Sequence, residues 1–361
     1  MTSKKGCLRI VYLHRGYFPM LAGAETMMYR IASTLCQRGH EVHIVSQSQG
    51  DDFERTVVDG MQVLRVPSHG LTNPEMWIDA RPDIVHVVDA VWPTYVQAAL
   101  ALAHMWRVPL AVTPASIMST WQDPEAIFNV CRQADMVFVL TAAERATFIR
   151  HGVTTERLFM TSQGYELVGE PDAVAFRRSY GMTGPIVLFL GRKVSFKGYT
   201  LLLQATHDVW QSHPETQFVF IGPRWDDDCA ELFMTYADPR ITEIGIVDEA
   251  TKHSALMASD IVCLPTISDI FPLVYVEAWA CGKPVIASRF PGVEEVVRHG
   301  EDGLIVDPDP KALATTLKHL LSQPSLRSMM GMRGLERVNA EFSWEIVADQ
   351  IEAAYGEVID R

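Results

Sequence analysis

Ser268-Asp269-Ile270-Phe271-Pro272-Leu273-Val274-Tyr275-Val276-Glu277-Ala278-Trp279-Ala280-Cys281-Gly282-Lys283-Pro284-Val285-Ile286 reads as the loop, helix and closing strand of one βαβ unit. The apolar run Ile261–Leu264 stands before it, and 285–287 forms its end. Short, continuously apolar runs suit strands buried on both faces. Pro272 is expected at the first helical position, where a missing N–H costs nothing. Gly282 ends the helix and Pro284 blocks its continuation. Two buried strands joined through a helix imply a crossover connection, and hence a parallel sheet.

The same alternation extends outward in both directions. In the first half, strands are expected at 8–13, 42–46, 62–66, Ile84–Val88, Leu110–Thr113 and 136–140, with a helix at 25–38 closed by Gly39. The stretch 162–184 is polar and carries glycines at 164, 169, 181 and 184, which marks a connection with a short helix around 173–180. The pattern then restarts, with strands at Ile186–Leu190 and 218–221, a helix at 200–211, and helices from Lys311 onward broken near Ser343-Trp344. The expectation is an α/β chain of two Rossmann-like domains. The first spans 1–165 and the second 166–344, with a last helix, about 345–361, crossing back to the first. Ligands of open α/β sheets bind beyond the carboxyl ends of the strands, so an interdomain cleft is the expected site.

Composition narrows the function. The chain has 361 residues, enough for two cores, and is 48% hydrophobic, which excludes a mainly disordered protein. Its net charge is −13, nearly all of it beyond residue 165. Without a basic footprint, nucleic acid is excluded as a partner. No apolar run approaches the length of a transmembrane helix, and no long apolar stretch follows Lys4 and Lys5 as in a signal peptide. The six cysteines, at 7, 36, 131, 229, 263 and 281, are scattered through apolar segments without ligand spacing. They read as small core residues in a reducing cytoplasm, with no disulfide and no structural zinc.

Three segments carry chemistry. In the first, Asp269 precedes a helix whose N–H groups, from Leu273 on, favour phosphate; Glu277 lies about one and a half turns inside. A carboxylate accepts paired hydroxyls, as on a ribose or sugar. Alone, the segment would equally suit an ordinary helix with a capping Asp and a solvated Glu. In the second, Gly191-Arg192-Lys193-Val194-Ser195-Phe196-Lys197-Gly198 follows a strand directly. Cations flanked by glycines at a strand end suit a diphosphate, although a solvated basic turn has the same composition. Neither G-x-x-x-x-G-K-[ST] nor an early G-x-G-x-x-G is present, which counts against P-loop and dinucleotide chemistry. In the third, Pro19-Met20-Leu21-Ala22-Gly23-Ala24-Glu25 places small residues at a helix start.

In this order the three segments resemble the family 4 retaining glycosyltransferases of the GT-B fold. The resemblance covers nearly the whole chain. It takes in Asp83-Ile84-Val85-His86, Gln163-Gly164-Tyr165-Glu166, Pro291-Gly292-Val293-Glu294-Glu295 and Phe342-Ser343-Trp344. It implies a sugar moved from a nucleotide diphosphate sugar, UDP-linked or GDP-linked, to an acceptor hydroxyl with retention and without a metal. The acceptor is a small molecule, a glycolipid or a glycan. Arg192 and Lys197 match the pair that holds the diphosphate. Asp269 matches the acid that faces the donor sugar, and Glu277 the acid that binds the ribose. Phe271, Pro272 and Leu273 belong to the donor-binding stretch, and Gly23 to the glycine-rich loop. Arg192, Lys197 and Asp269 form the catalytic set.

Four departures stand out. Asp269 replaces the usual Glu, Ala22-Gly23 replaces a glycine pair, and Pro272 replaces a glycine. Ala115 stands where the family often places a His that contacts the donor sugar. His14, His86 and His104 are candidate substitutes for that His, His86 the best placed of them, with a structural role the stronger alternative for each. Tyr17, His86 and Trp92 are acceptor-pocket candidates, each with core packing as its alternative. Asp226, Asp227 and Asp228 read as a solvated turn. Two competing functions share the fold: a nucleotide-sugar epimerase, and a non-catalytic nucleotide-sugar binding protein.

Overall fold

The structure is a computed structural model that describes residues 6–16, 23–48, 50–71, 73 and 78–361. The chain divides into two compact units, a first of Met1–Gly164 together with Trp344–Arg361 and a second of Tyr165–Ser343.

The first unit contains β1 (Arg9–Leu13), α1 (Gly23–Gln37), β2 (Glu41–Gln47), β3 (Glu54–Val58), β4 (Met61–Val66), β5 (Ile84–Val88), α2 (Pro93–Trp106), β6 (Leu110–Thr113), α3 (Pro124–Gln133), β7 (Met136–Val139), α4 (Ala142–Arg150) and β8 (Leu158–Met160). The second contains α5 (Ala173–Ser179), β9 (Ile186–Leu190), α6 (Tyr199–Trp210), β10 (Gln217–Ile221), α7 (Cys229–Thr235), β11 (Ile241–Ile244), α8 (Glu249–Ala258), β12 (Ile261–Leu264), α9 (Leu273–Ala280), β13 (Val285–Ser288), α10 (Val293–Val296), β14 (Gly303–Val306), α11 (Pro310–Leu321) and α12 (Pro324–Glu341). The last helix, α13 (Trp344–Ile359), returns to the first unit.

The sheet of the first unit runs β3-β4-β2-β1-β5-β6-β7-β8, and only β3 is antiparallel to its neighbour. That of the second runs β11-β10-β9-β12-β13-β14, all parallel. In both sheets the strand order reverses beside the first strand of the unit, between β1 and β5 and between β9 and β12.

Apolar runs in the sequence become strands buried on both faces: every residue of β5, β6, β7, β9, β12 and β13 is buried. On one face of the first sheet, Val11, Leu13, Val85 and Val87 meet Leu102 and Ala103 of α2 and Phe128 of α3. On the other, Ile10 and Tyr12 meet Met28 and Ile31 of α1, together with Trp344, Val347, Ile351 and Tyr355 of α13. The three-and-four spacing along α13 presents these residues as one stripe, so the end of the chain completes this core. A side chain at Gly164 would lie 2.4 Å from the Trp344 ring, so only glycine lets α13 dock there.

Several elements correct the sequence reading. Pro272 is the N-cap of α9, with ψ 113, and helical geometry begins only at Leu273. The run 8–13 starts as a strand at Arg9, and β3, β8, β11 and β14, which are short or edge strands, were not expected. Asp226 is not merely solvated, since it accepts the N–H of Ser195, whereas Asp227 and Asp228 are exposed as expected and Asp228 stands at the N-cap of α7 without a side-chain cap hydrogen bond. Cys131, Cys229 and Cys263 are core residues and Cys7 is exposed; all six cysteines are free.

His86 is the largest correction. It is fully buried beneath Tyr12, Phe138 and Tyr355. Its Nδ1 lies 2.6 Å from the Tyr355 hydroxyl and its Nε2 2.7 Å from Thr113 Oγ1. Burial lowers its pKa to about 3, so it stays neutral. It therefore offers nothing to an acceptor and instead ties α13 to the sheet. The Tyr355 hydroxyl also lies 3.0 Å from that of Tyr12. Tyr355→Phe leaves a buried imidazole nitrogen unpartnered. It is expected to destabilise the protein by about 1–3 kcal/mol in denaturant titrations, with an unaltered m-value.

Candidate active site

In the second unit the loops after β9 and β12 are held against each other. Gly198 adopts a left-handed conformation, φ 82, and a Cβ there would lie 2.1 Å from the Pro265 carbonyl oxygen. Thr266 Oγ1 donates towards the carbonyls of Phe196 and Ser268, at 3.0 and 3.1 Å, and the Ile267 N–H donates to Phe196 at 2.9 Å. This stitching brings two expected residues together: Lys197 Nζ donates to Asp269 Oδ2 at 2.5 Å, with both side chains largely buried. Asp269 Oδ1 accepts the Ile270 N–H at 2.9 Å. Both carboxylate oxygens are thus occupied, and Asp269 is first of all the counter-charge that fixes Lys197.

Arg192 takes no part in this pairing. It is exposed, makes no ion pair among the described residues, and lies 5.1 Å from the centroid of the Trp225 ring. Lys193 is fully buried, donating to the carbonyls of Gly222 and Ile244 beside Glu243, and so belongs to the scaffold. Successive residues after a strand face opposite ways, which separates Arg192 from Lys193.

No side chain caps α9, and Leu273 is its first residue. The N–H groups of Leu273 and Val274 thus have no partner in the helix and, with the helix dipole, attract an anion. Phe271 is buried and packs on Phe342, and Pro272 is buried and has no N–H. Their expected donor contacts are therefore corrected to the backbone carbonyl alone for Pro272, and to main-chain groups for Phe271.

Glu277 is nearly buried in α9. Its Oε1 accepts from Lys252 Nζ at 2.7 Å, and the same Nζ lies 2.7 Å from Glu249 Oε2. Burial alone would depress the Lys252 ammonium, but the two carboxylates outweigh it and raise its pKa above the ordinary value. Glu277 Oε2 has no partner among the described residues. The ammonium therefore orients the carboxylate and leaves one oxygen for a ligand. Lys252 was missed in the sequence because it stands on α8, far from the motif it serves. Trp225 was missed for the same reason, and Thr266, three residues before Asp269, because a lone threonine in a loop carries no motif signal.

In the first unit Tyr17 lies outside the described residues. Gly23 opens α1 with no atom within 4 Å of where a Cβ would stand, so nothing in the described protein crowds that helix start. Trp92 is half-buried at the N-cap of α2, under the guanidinium of Arg15. His14 is buried against Gly16, and His104 is exposed in the last turn of α2. Neither replaces the His absent at position 115. Ala115 has φ +54 and Asp89, at the end of β5, φ +72. Such strain collects at functional edges. Asp89 Oδ1 accepts from Ser116 Oγ at 2.7 Å and from the Val91 N–H. Asp89 and Ser116 are further residues that the sequence did not single out.

Known proteins show the same architecture. The family model described as glycosyl transferases group 1 matches residues 175–337, and that described as glycosyltransferase family 4 matches 21–167. The chain is 26% identical to a D-inositol 3-phosphate glycosyltransferase of Corynebacterium diphtheriae, covering 93% of this chain and 90% of that one. It is 26% identical to a phosphatidyl-myo-inositol mannosyltransferase of Mycobacterium leprae, covering 94% of each. Among solved structures it resembles Anabaena Alr3699/HepE in complex with UDP and glucose, with a TM-score of 0.81 at 17% identity over 97% of this chain and 99% of that one. A sucrose-phosphate synthase from Thermosynechococcus elongatus gives a TM-score of 0.81 at 22% identity over 98% and 99%. Two family models in sequence, a GT-B architecture and full-length relatives all agree: the chain is a hexosyltransferase that belongs to the family 4 glycosyltransferases.

Proposed function

We propose that the enzyme takes its sugar from a UDP-sugar, retains the anomeric configuration, and delivers the sugar to a hydroxyl of a phosphorylated polyol of the inositol class. The observation that carries the donor part is the gathering of Arg192, the Lys197–Asp269 pair, the uncapped start of α9 and the lysine-held Glu277 along the β9 and β12 loops. The UDP complex of the Anabaena protein supports the nucleotide, and the names of the inositol phosphate and phosphatidyl-inositol enzymes support the acceptor.

In this reading Arg192, Lys197 and the N–H groups of Leu273 and Val274 take the diphosphate, and Glu277 Oε2 accepts from the ribose hydroxyls. The acceptor oxygen bonds to the anomeric carbon as the carbon–phosphate oxygen bond breaks. The acceptor's proton passes to the departing phosphate oxygen on the same face, giving UDP and the glycoside. Asp269 is poorly placed to act as a covalent nucleophile, because Lys197 and the Ile270 N–H hold its two oxygens. Charge developing on the leaving group is stabilised by fixed cations and dipoles, so the reading requires no metal. The free cysteines support a reducing, cytoplasmic setting. No helix among the described residues is long and apolar enough to cross a membrane.

Transfer from a panel of UDP- and GDP-sugars to inositol, inositol phosphates and phosphatidylinositol, followed by mass spectrometry, tests donor and acceptor together. An inverted product anomer by NMR would reject retention. Lys197→Ala and Arg192→Ala are each expected to lower kcat/KM by about 10²–10³-fold with the fold intact by circular dichroism. Full turnover in the folded double variant would remove these residues from the mechanism. Glu277→Gln is expected to weaken UDP binding about tenfold, near 1.4 kcal/mol, and Lys252→Met to do so similarly by releasing Glu277. Calorimetric UDP affinities equal to wild type in a folded Glu277→Gln would rule out the ribose assignment.

A further inference from the structure

The first unit has a second charged feature at a reversal of strand order, and the donor reading leaves it unused. β1 has β2 on one side and β5 on the other, and open α/β sheets bind ligands beyond the carboxyl ends of such a pair. Two residues after β1 stands Arg15. Its guanidinium carbon lies 3.5 Å from the centroid of Trp92, on the loop after β5. Its Nε donates to Oε1 of Gln47, the last residue of β2, at 2.7 Å. The guanidinium thus spans the ends of three neighbouring strands and is held in plane by a ring below and an amide beside.

Neither anchor brings a negative charge. Among the described residues Arg15 makes no ion pair, and its Nη atoms donate to nothing. Other arginines of this unit use their Nη groups, some on acids, as Arg9 on Glu41, Arg38 on Asp349 and Glu352 and Arg132 on Glu125, and some on backbone carbonyls, as Arg81 on Arg107 and Arg157 on Gln133. The acid on the loop after β5, Asp89, takes Ser116 Oγ and the Val91 N–H on its Oδ1 and makes no ion pair with Arg15. Tyr95, in the first turn of α2, is 4% exposed and feels the charge of Arg15, but its neutral phenol does not balance it. A half-buried cation fixed without a counter-ion is costly unless a ligand supplies the charge. The edge left open is the Nη pair, whose parallel N–H groups match two oxygens of a phosphate. Using Nε for Gln47 and the ring face for Trp92 leaves that edge pre-oriented.

We propose that Arg15 is the phosphate subsite for the acceptor, taking the phosphate of a phosphorylated polyol while a hydroxyl of the same molecule receives the sugar. This rests on the acceptor class proposed above and adds the group that recognises it. The phosphate belongs either to a free polyol phosphate or to a lipid headgroup, and one experiment separates the two.

Wild type, Arg15→Lys and Arg15→Met are titrated calorimetrically with D-myo-inositol 3-phosphate, myo-inositol, glucose 6-phosphate and glucose. Each is also sedimented with phosphatidylcholine vesicles, with and without phosphatidylinositol. UDP affinity, which depends on the other unit, reports folding; Arg15→Gln replaces the Met variant if that variant loses UDP. Wild type is expected to bind the phosphorylated member of at least one pair about tenfold or more tightly than its neutral partner. Arg15→Met abolishes the difference, and Arg15→Lys, a point charge without the fork, keeps part of it. A vesicle-only preference lost in Arg15→Met identifies the lipid headgroup as the source. No phosphate preference in wild type, in solution or on vesicles, overturns the proposal, and so does a preference intact in Arg15→Met. A preference for glucose 6-phosphate without one for the inositol phosphate keeps the Arg15 subsite and rejects the inositol acceptor.

Discussion

The reversal of strand order beside the first strand of each unit is the constraint on which the rest depends. Right-handed crossovers place helices on one face when the chain winds one way and on the other when it winds back. At the reversal, the loops after neighbouring strands leave in opposite directions and open a crevice that no element of the sheet fills. β1 and β5 make this crevice in the first unit, β9 and β12 in the second. Each residue to which chemistry is assigned here stands on a loop or helix that follows one of these strands, or reaches them from the adjoining ones.

What fills the two crevices differs in charge. In the second unit both lysines of the site have acidic partners: Lys197 has Asp269, and Lys252 has Glu277 and Glu249. Pairing holds flexible side chains in place before the ligand arrives, which lowers the ordering cost of binding. A lysine ammonium has three donors, so Lys197 keeps donors for a diphosphate while Asp269 holds it. Arg192 makes no ion pair among the described residues, so in the proposed reading an incoming diphosphate meets one exposed charge and one buried, restrained charge. In the first unit Arg15 is fixed by a ring and an amide and makes no ion pair among the described residues.

Much of this architecture was legible in the sequence because the strands are buried on both faces. Runs such as Ile84–Val88 and Ile186–Leu190 have no polar face to confuse with a helix, and both appear where the pattern placed them. Edge strands escaped: β3 and β11 are short, partly exposed, and composed much like loops. At the site, motif residues were legible one at a time, but their partners were not. Neither Lys252 beside Glu277 nor Gln47 beside Arg15 has a spacing signature, since each pair is made by sheet order rather than by chain proximity. His86 misled because the end of a strand reads as near a ligand edge, whereas α13, arriving from the far end of the chain, covers it.

Ala115 holds a left-handed backbone that its own side chain does nothing to stabilise. A non-glycine residue at φ +54 costs roughly 1–2 kcal/mol, and alanine has no side-chain hydrogen bond to offset it. The conformation is imposed from outside. The N–H groups of Asp89 and Ala90 donate to the carbonyls of Thr113 and Pro114, the Ser116 hydroxyl closes on Asp89, and the Trp121 indole donates to the Ser116 carbonyl. Asp89 is itself left-handed, so both sides of this contact store strain. A loop held this firmly by two neighbouring strand ends keeps its shape whatever residue occupies position 115. In the proposed reading, donor recognition rests on the second unit, where paired charges hold the ligand groups, and the first unit supplies a rigid edge for a charged acceptor at Arg15.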